Sequence, residues 1–449
     1  MELELLTRNE LLQICETMGI LKYKSKNKSQ LKTLIREKTP EPKEEPKEEP
    51  KEEPKEEPKE GDKNVTFIDL FCGIGGFHTA LSKFGLKCIL ACDIDKNCRE
   101  VYKNNYNITP KDDVKNINEN TIQDFNILCA GFPCQPFSNG GKKKSFSDDR
   151  GLLFDEIIRI AKIKKPKFMF LENVKHIMKV SNGEVLEYIK MKVELTGYKL
   201  QIFNISPHNY GIPQQRERVY FVCIRNDIYD GTNIVLPINN TKINLTNYLD
   251  PMVDKKYNID GELLEVLNAW DEMIKQFQVG EKISPTIMIN DAFNEYTEEE
   301  FNLFPDWKQD YITKNKPLIN KYRPQFETWY LKYKHILQKR EIYGKLEWQT
   351  GVIKENDSIF NHFIQIRQSG IRVKKAEYFP TLVAISQIPI YGKEKRYITP
   401  RECARLQSFP EDFKLPANDK ISYKQMGNSV NVDNVHTIVH TTLKKYNII

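Results

Sequence analysis

Between Val65 and Ile224 short apolar runs alternate with amphipathic ones, and this alternation limits the fold more than any other feature of the chain. Val65–Leu70, Lys87–Asp93, Asn126–Ala130, Lys167–Leu171, Lys199–Ile205 and Arg218–Ile224 read as strands. Phe77–Phe84, Asp95–Asn105, Leu152–Lys164 and Val185–Leu195 read as helices between them. Apolar strands separated by helical periods imply strands joined by crossover helices and covered on both faces. The expected class is α/β, a doubly wound and mainly parallel sheet. A chain of 449 residues leaves room for two or three domains around such a sheet.

The segment in front is of another kind. Residues 40–60 repeat Pro-Lys-Glu-Glu with a period of four. Proline at every fourth position forbids a stable helix, and no apolar side chain is available to bury. A charged, extended tether is expected over 40–61, reaching on the order of 65 Å at roughly 3.1 Å per residue. Ahead of it, 1–39 reads as a small helical module. Thr7-x-x-Glu10 is a capping-box pattern, Leu11, Ile14, Cys15 and Met18 follow at helical spacing, and Gly19 stops the helix. A second helix is expected around Gln30–Lys38, with Leu31, Leu34 and Ile35 on one face; the basic turn Lys22–Lys28 lies between the two. The pattern resembles the SAP-type helix-extended-helix DNA-binding module. A helical hairpin that docks on protein is the alternative.

Behind the alternating region, taken as 62–225, regularity is lost. Residues 226–396 are rich in Asn, Lys and aromatics, among them Trp270, Trp307, Trp329, Tyr330, Tyr333 and Trp348, and read as an inserted domain. Residues 397–449 return to helical patterning and end in an amphipathic helix from about Val432 to Lys445.

Charge follows the same divisions. Lys and Arg against Asp and Glu give +3 for 1–39, −5 for 40–60 and +8 for 61–449, within a net charge of +6. A basic body fits a polyanionic partner, although an ordinary Lys-rich surface would look alike. No apolar run approaches the ~20 residues of a membrane span. The acidic start Met1-Glu2-Leu3-Glu4 lacks the features of a signal peptide. Nine cysteines lie at no metal-ligand spacing, and Cys88, Cys92 and Cys98 have no partnering His, so no metal is expected. The odd number of cysteines leads to the expectation of reduced thiols and an intracellular protein.

Several short runs carry chemistry. Cys134 sits in Gly131-Phe132-Pro133-Cys134-Gln135-Pro136-Phe137-Ser138, directly after a strand. Pro133 and Pro136 stiffen the loop, a poor place for a packing cysteine and a good one for a nucleophile. Asp69–Gly76 follows the first strand with glycines that let a ligand approach the backbone, and Asp93, ending the second, is placed to accept from ribose hydroxyls. That pair fits a dinucleotide or S-adenosylmethionine. Asp112-Asp113-Val114 could supply a third strand end, with Asp113 at an adenine amino group and Val114 and Ile94 on the ring faces; a plain acidic turn is the alternative. Glu172, in Phe170–Val174, falls at the end of the Lys167 strand, where α/β sheets hold ligands; a surface Glu in a loop is the ordinary case. Arg216 and Arg218 alternate in an extended segment and could bind a base carbonyl and a phosphate, unless Glu217 merely pairs with one of them. Asn428 and Ser429 precede the last helix as a capped ligand loop or an ordinary helix start.

Taken in order, these runs resemble the C5-cytosine DNA methyltransferase family. The resemblance rests on the Phe67–Phe77 glycine turn, Pro133-Cys134-Gln135, Glu172-Asn173-Val174, Gln214–Arg218, Arg401–Pro410 and Gly427-Asn428-Ser429-Val430. It implies an S-adenosylmethionine-dependent methyltransferase fold, with 226–396 where that family keeps its variable target-recognition domain. It implies that Cys134 adds to C6 of a cytosine flipped from the duplex, that protonated Glu172 contacts N3 and the exocyclic amine, and that Arg218 holds O2 with Arg216 nearby. Phe71, Gly73, Gly75, Asp93, Ile94, Asp113, Val114, Pro133, Asn428 and Val430 would line the S-adenosylmethionine pocket. Ser138, Gly140, Lys142, Lys143 and Lys144 would belong to a mobile loop that closes on DNA. Two positions depart from the family: Asp93 stands where Glu is frequent, and Ile94 where an aromatic is frequent.

The implied partner is double-stranded DNA, met by a monomer, with a cognate restriction endonuclease as a further partner of such enzymes. The implied compartment is the cytoplasm or nucleoid, or a nucleus or viral factory for a eukaryotic or viral chain. One branch of the family methylates tRNA, but its Cys-Phe-Thr tripeptide is absent here. A decayed, non-enzymatic DNA-binding fold is the other rival, against which every expected catalytic position is filled.

Overall fold

The structure, a computed structural model, describes residues 7–17, 19–20, 23–38, 65–133, 152–237, 243–294, 296–385 and 387–449. The chain divides into two compact units, Met1–Lys59 and Glu60–Ile449. The tether expected over 40–61 lies outside the described residues.

The first unit is a helical hairpin of α1 (Arg8–Thr17) and α2 (Lys28–Lys38). Leu11, Cys15, Ile20, Leu31 and Ile35 form its core. Gly19 takes a left-handed φ of 60°, and Ile20 N–H closes back on Cys15 O at 2.9 Å, which ends α1 as a helix stop should. The second helix starts two residues before the expected Gln30, because Asn27 and Gln30 cap one another: Gln30 N–H donates to Asn27 Oδ1 at 3.0 Å and Asn27 N–H to Gln30 Oε1 at 3.2 Å. Arg8 pins the turn between the helices by donating to Lys24 O and Lys26 O at 3.0 and 3.2 Å.

The second unit is built on β1 (Thr66–Leu70), β2 (Lys87–Cys92), β3 (Ile127–Gly131), β4 (Phe168–Val174), β5 (Tyr198–Ile205) and β6 (Arg218–Arg225), in the spatial order β2-β1-β3-β4-β6-β5. The first four strands are parallel, and β6 runs antiparallel between β4 and β5. The β5–β6 connection, residues 206–217, holds one 3-10 turn at Pro207–Tyr210 and no crossover helix, and β6 returns antiparallel. Residues alternate between the two faces as the pleat requires. Phe67, Cys129, Phe170 and Val222 pack on one side, with Val435, Ile438 and Val439. Ile68, Leu128, Met169 and Phe221 pack on the other, with Ile157, Ala161 and Ile189. The covering helices are α3 (Gly76–Ser82), α4 (Lys96–Tyr106), α5 (Leu152–Lys164) and α6 (Glu184–Leu195). This is the expected α/β class.

β4 is longer than the sequence suggests. Pairing with β6 carries it through Glu172 and Asn173 to Val174, opposite Arg218. Glu172 therefore stands within the strand rather than beyond it. Asp113 is not at a third strand end: it caps a single turn at Val114–Asn116, and only Lys111 bridges to Cys92.

Residues beyond β6 hold α7 (Gly261–Ile274), β7 (Ile287–Met288), α8 (Ile289–Ala292), α9 (Glu298–Asn302), α10 (Asp306–Lys321) and α11 (Arg323–Leu337). The strands β8 (Lys345–Gln349), β9 (Phe363–Arg367), β10 (Gly370–Lys374), β11 (Ile390–Tyr391) and β12 (Arg396–Tyr397) join β7 in a second six-stranded sheet, ordered β12-β11-β9-β10-β8-β7. These elements share a core around Trp270, Phe326, Trp329, Leu346 and Ile371. Strands of two to five residues are too short to show a period in sequence, which explains why this region reads as irregular. The chain ends with α12 (Pro400–Leu406), α13 (Asp419–Asn428) and α14 (Val432–Lys445). Among the described residues no helix is long and apolar enough to cross a membrane, and no group of three or more His, Cys, Asp or Glu could hold a metal ion.

Candidate active site

The carboxyl ends of β1, β2, β3 and β4 converge, and the residues expected to act are distributed along them. After β1 the backbone turns through left-handed positions at Phe71 (φ 53°), Gly73 (φ 53°) and Gly75 (φ 90°). Tyr106 backs this turn, donating to Gly75 O at 2.8 Å, and a Cβ on Gly75 would lie 2.3 Å from its ring. A Cβ on Gly73 would meet nothing, so that backbone stays open to a ligand.

Asp93 braces the turn. Its Oδ2 accepts from Gly73 N–H and its Oδ1 from Asp95 N–H, both at 2.8 Å. Each carboxylate oxygen keeps a second lone pair for a hydroxyl. Burial pushes the Asp93 pKa up against these bonds. Ile94 beside it is 79% exposed, a large apolar side chain presented to solvent next to an acid. An acid with spare acceptors, an open glycine backbone and an exposed aliphatic face fit an adenosine-bearing group. Asp113 directs its side chain to Lys115 N–H at 3.0 Å, and Val114 is buried in the core instead of facing the open side.

Cys134, Ser138, Gly140, Lys142, Lys143 and Lys144 lie outside the described residues, which resume at 152. The start of their loop is held firmly. Asn173 Nδ2 donates to Phe132 O at 2.9 Å, so the residue after Glu172 ties β4 to the segment entering Pro133 and Cys134. Glu172 is buried and pairs with Arg218 through Nε at 3.1 Å. Burial raises its pKa, while Arg218 and then Arg216 pull it back. Glu172 Oε2, Val430 and Phe71 O all lie within 4.0 Å of where a Cβ on Gly131 would be, which gathers parts of both half-sites at the end of β3.

Arg216 lies near Glu172, whose pKa it helps to lower, but its guanidinium is committed to backbone carbonyls. It is 2% exposed, and its guanidinium donates to Leu382 O at 2.6 Å, Gly427 O at 2.8 Å and Ser429 O at 2.9 Å. Burial, then Arg218, pulls its pKa down to about 9, which leaves it charged at neutral pH. It ties the strand leading to Arg218 to the α13–α14 turn and to the segment after β10. Asn428 is the exposed last residue of α13, and the cap of α14 is Asn431, which accepts from Asn434 N–H at 3.0 Å. Val430 packs against Gly76, where an added Cβ would come within 2.5 Å of it.

Sequence reasoning missed two contributors. Asn173 is one residue of a motif run in the sequence, and its brace to Phe132 depends on β4 extending further than its apolar residues indicate. The segment 379–384 carries no motif, yet it seals the site: Phe379 N–H donates to Pro213 O at 2.6 Å, Thr381 Oγ1 to Gln215 O, and Val383 covers Gly427 so closely that a Cβ there would be 2.2 Å away. The absence of a side chain at Gly427 was the one available signal.

Comparison with known proteins identifies the family to which these motifs belong. The family model for C-5 cytosine-specific DNA methylase matches residues 65–444. Type II methyltransferase M.HhaI of Haemophilus parahaemolyticus is 31% identical over 382 residues, 84% of this chain and 95% of that one. Type II methyltransferase M1.ScrFI of Lactococcus lactis subsp. cremoris is 32% identical over 390 residues, 84% of this chain and 77% of that one. The solved structure of Entamoeba histolytica methyltransferase EhMeth superposes with a TM-score of 0.50 at 20% identity, covering 85% of this chain and 98% of that one; this likeness speaks to the fold alone. The chain belongs to the C-5 cytosine-specific DNA methylase family and is a sequence-specific DNA (cytosine-5-)-methyltransferase, with S-adenosylmethionine as its co-substrate.

Proposed function

We propose that the chain methylates a cytosine flipped out of duplex DNA, through a transient bond between Cys134 and C6. The observation that carries this reading is the buried Glu172–Arg218 pair beside the braced start of the Cys134 loop. The target atoms are unreachable inside a stacked duplex, so the base leaves the helix first. Cys134 thiolate forms the S–C6 bond, and the ring electrons move toward N3 and O2. Glu172 meets N3 with its proton, which burial favours, and Arg218 balances charge at O2. C5 becomes enamine-like and nucleophilic. S-adenosylmethionine supplies the methyl group. Loss of the C5 proton to water, expulsion of Cys134 thiolate and return of the N3 proton to Glu172 then restore the ring.

Phe71, Gly73, Gly75, Asp93, Ile94 and Val430 would hold the co-substrate, with Asp113 at its edge and Pro133 between the two half-sites. Arg216 acts through its neighbours as a positioning residue. Ser138, Gly140, Lys142, Lys143 and Lys144 would meet the DNA backbone, and residues 226–396 would read sequence. The enzyme works as a monomer inside the cell. The first unit serves as a second, weaker DNA contact through its basic turn.

Cys134→Ser tests the mechanism. Transfer of a labelled methyl group to duplex DNA is expected to fall to background while S-adenosylmethionine binding persists; a variant that keeps wild-type turnover contradicts it.

A further inference from the structure

The register of the second sheet sorts its side chains onto two faces. Ile364, Ile371, Val373, Leu346 and Trp348 point into that region's own core. Phe363, Gln365 and Arg367 of β9 point the other way. Across the sheet they align with Lys374, Arg372 and Gly370 of β10, and Arg372 in turn with Glu347 of β8. Beyond buried Phe363 and Gln365, this second face carries the cations Arg367, Arg372 and Lys374.

It is also turned toward the catalytic sheet. Phe363 packs on Phe379 with ring centroids 4.4 Å apart, and Phe379 is bonded to Pro213, shortly before Arg216 and Arg218. A duplex presenting a base to Glu172 and Arg218 would bring its flanking base pairs to this face.

Among these side chains Arg372 has a particular arrangement. Its Nε donates to Glu347 Oε2 at 2.6 Å. Its two terminal nitrogens have no hydrogen bond among the described residues. Both partners are about one-fifth exposed, so the pair is neither sealed in a core nor free in solvent. Arg367, by contrast, is directed sideways, with Nε on Gln387 Oε1 at 3.2 Å, and Gln365 is tied to Gln387 O at 3.3 Å. Lys374 is a point charge whose pKa burial and Arg372 pull down.

We infer that Arg372 reads a guanine of the recognition sequence in the major groove, with Glu347 as the residue that aims it. A guanidinium held at Nε presents its two terminal N–H groups as a fork, and guanine offers two acceptors, O6 and N7, at matching spacing. No other base pair edge offers two acceptors on one base in that groove. A fork braced by a carboxylate also loses less side-chain freedom on binding. The inference rests on duplex DNA as the substrate and adds which side chain discriminates among duplexes.

The test uses the full chain and its Arg372→Lys, Arg372→Gln and Glu347→Gln variants. Each is expressed in a host free of cytosine methylation, and bisulfite sequencing reads the context of every methylated site. The wild type is expected to require a G·C pair at one position. Arg372→Lys keeps the charge but loses the fork, and is expected to relax that position, with kcat/KM on the wild-type sequence down about 5- to 150-fold. Arg372→Gln shifts the preference at the same position, and Glu347→Gln weakens it in the same direction. If Arg372→Lys leaves the sequence context unchanged, or if Arg372→Gln slows all duplexes equally and only reduces salt dependence, Arg372 contacts phosphate or nothing, and the inference fails. A wild type that methylates no duplex DNA would overturn the substrate reading beneath it, an outcome distinct from either.

Discussion

Arg216 and Arg218 stand two positions apart and look equivalent in sequence, yet they do different work. Arg218 reaches Glu172, whereas Arg216 binds three backbone carbonyls from two distant segments. Alternation in an extended segment fixes direction and not partner, so the difference was not legible until the chain closed around Arg216. The cysteines divide in the same manner. Cys15, Cys72, Cys88, Cys92, Cys98, Cys129, Cys223 and Cys403 are all buried. Burial pushes every one of these thiols up, to about 12 for Cys88, Cys92 and Cys98. Thiolate, not thiol, is what reacts. A thiol-directed alkylating agent at neutral pH should therefore modify one cysteine of the native protein rapidly, with loss of activity in step. Peptide mapping should place the label on Cys134, and labelling of several cysteines at similar rates would contradict this division.

Among the elements, the strands and helices of 65–225 were legible because a buried parallel sheet writes continuous apolar runs, and most boundaries fall within a few residues of the observed ones. The end of β4 was not, since Glu172 and Asn173 are polar and belong to the strand only through pairing with β6. The second sheet was not legible either, because strands this short show no period. The turn between β1 and α3 was legible as glycine-rich, but not the unequal duties of its glycines. Gly75 is pressed against Tyr106 at a φ of 90°, while Gly73 faces open space at a φ of 53°. Gly75→Ala must adopt a strained backbone and displace a partly buried tyrosine, Tyr106, that binds Ile74 O and Gly75 O. It should cost roughly 2–4 kcal/mol, against about 1–2 kcal/mol for Gly73→Ala. Urea denaturation of both variants checks the order; equal losses would mean that Tyr106 gives way freely.

For the whole molecule, the proposed function gives the basic N-terminal hairpin a second DNA contact beside that of the catalytic body. From Thr17 to Ile35 the sequence carries five lysines and no acidic residue, and Lys24 and Lys28 are exposed at or beside the turn that Arg8 holds. A linked second site raises effective concentration without altering what the first site recognises. Removing residues 1–60 should weaken binding to a long duplex, with a shallower salt dependence, and leave the methylated sequence the same. Unchanged affinity would favour a protein-docking role for the hairpin. The product of the reaction is read by bisulfite sequencing of DNA from cells expressing the full chain in a methylation-free host. 5-Methylcytosine is expected at one short recurring sequence and is expected to disappear with Cys134→Ser; DNA without 5-methylcytosine, or methylation confined to tRNA, would refute a DNA cytosine methyltransferase acting through Cys134.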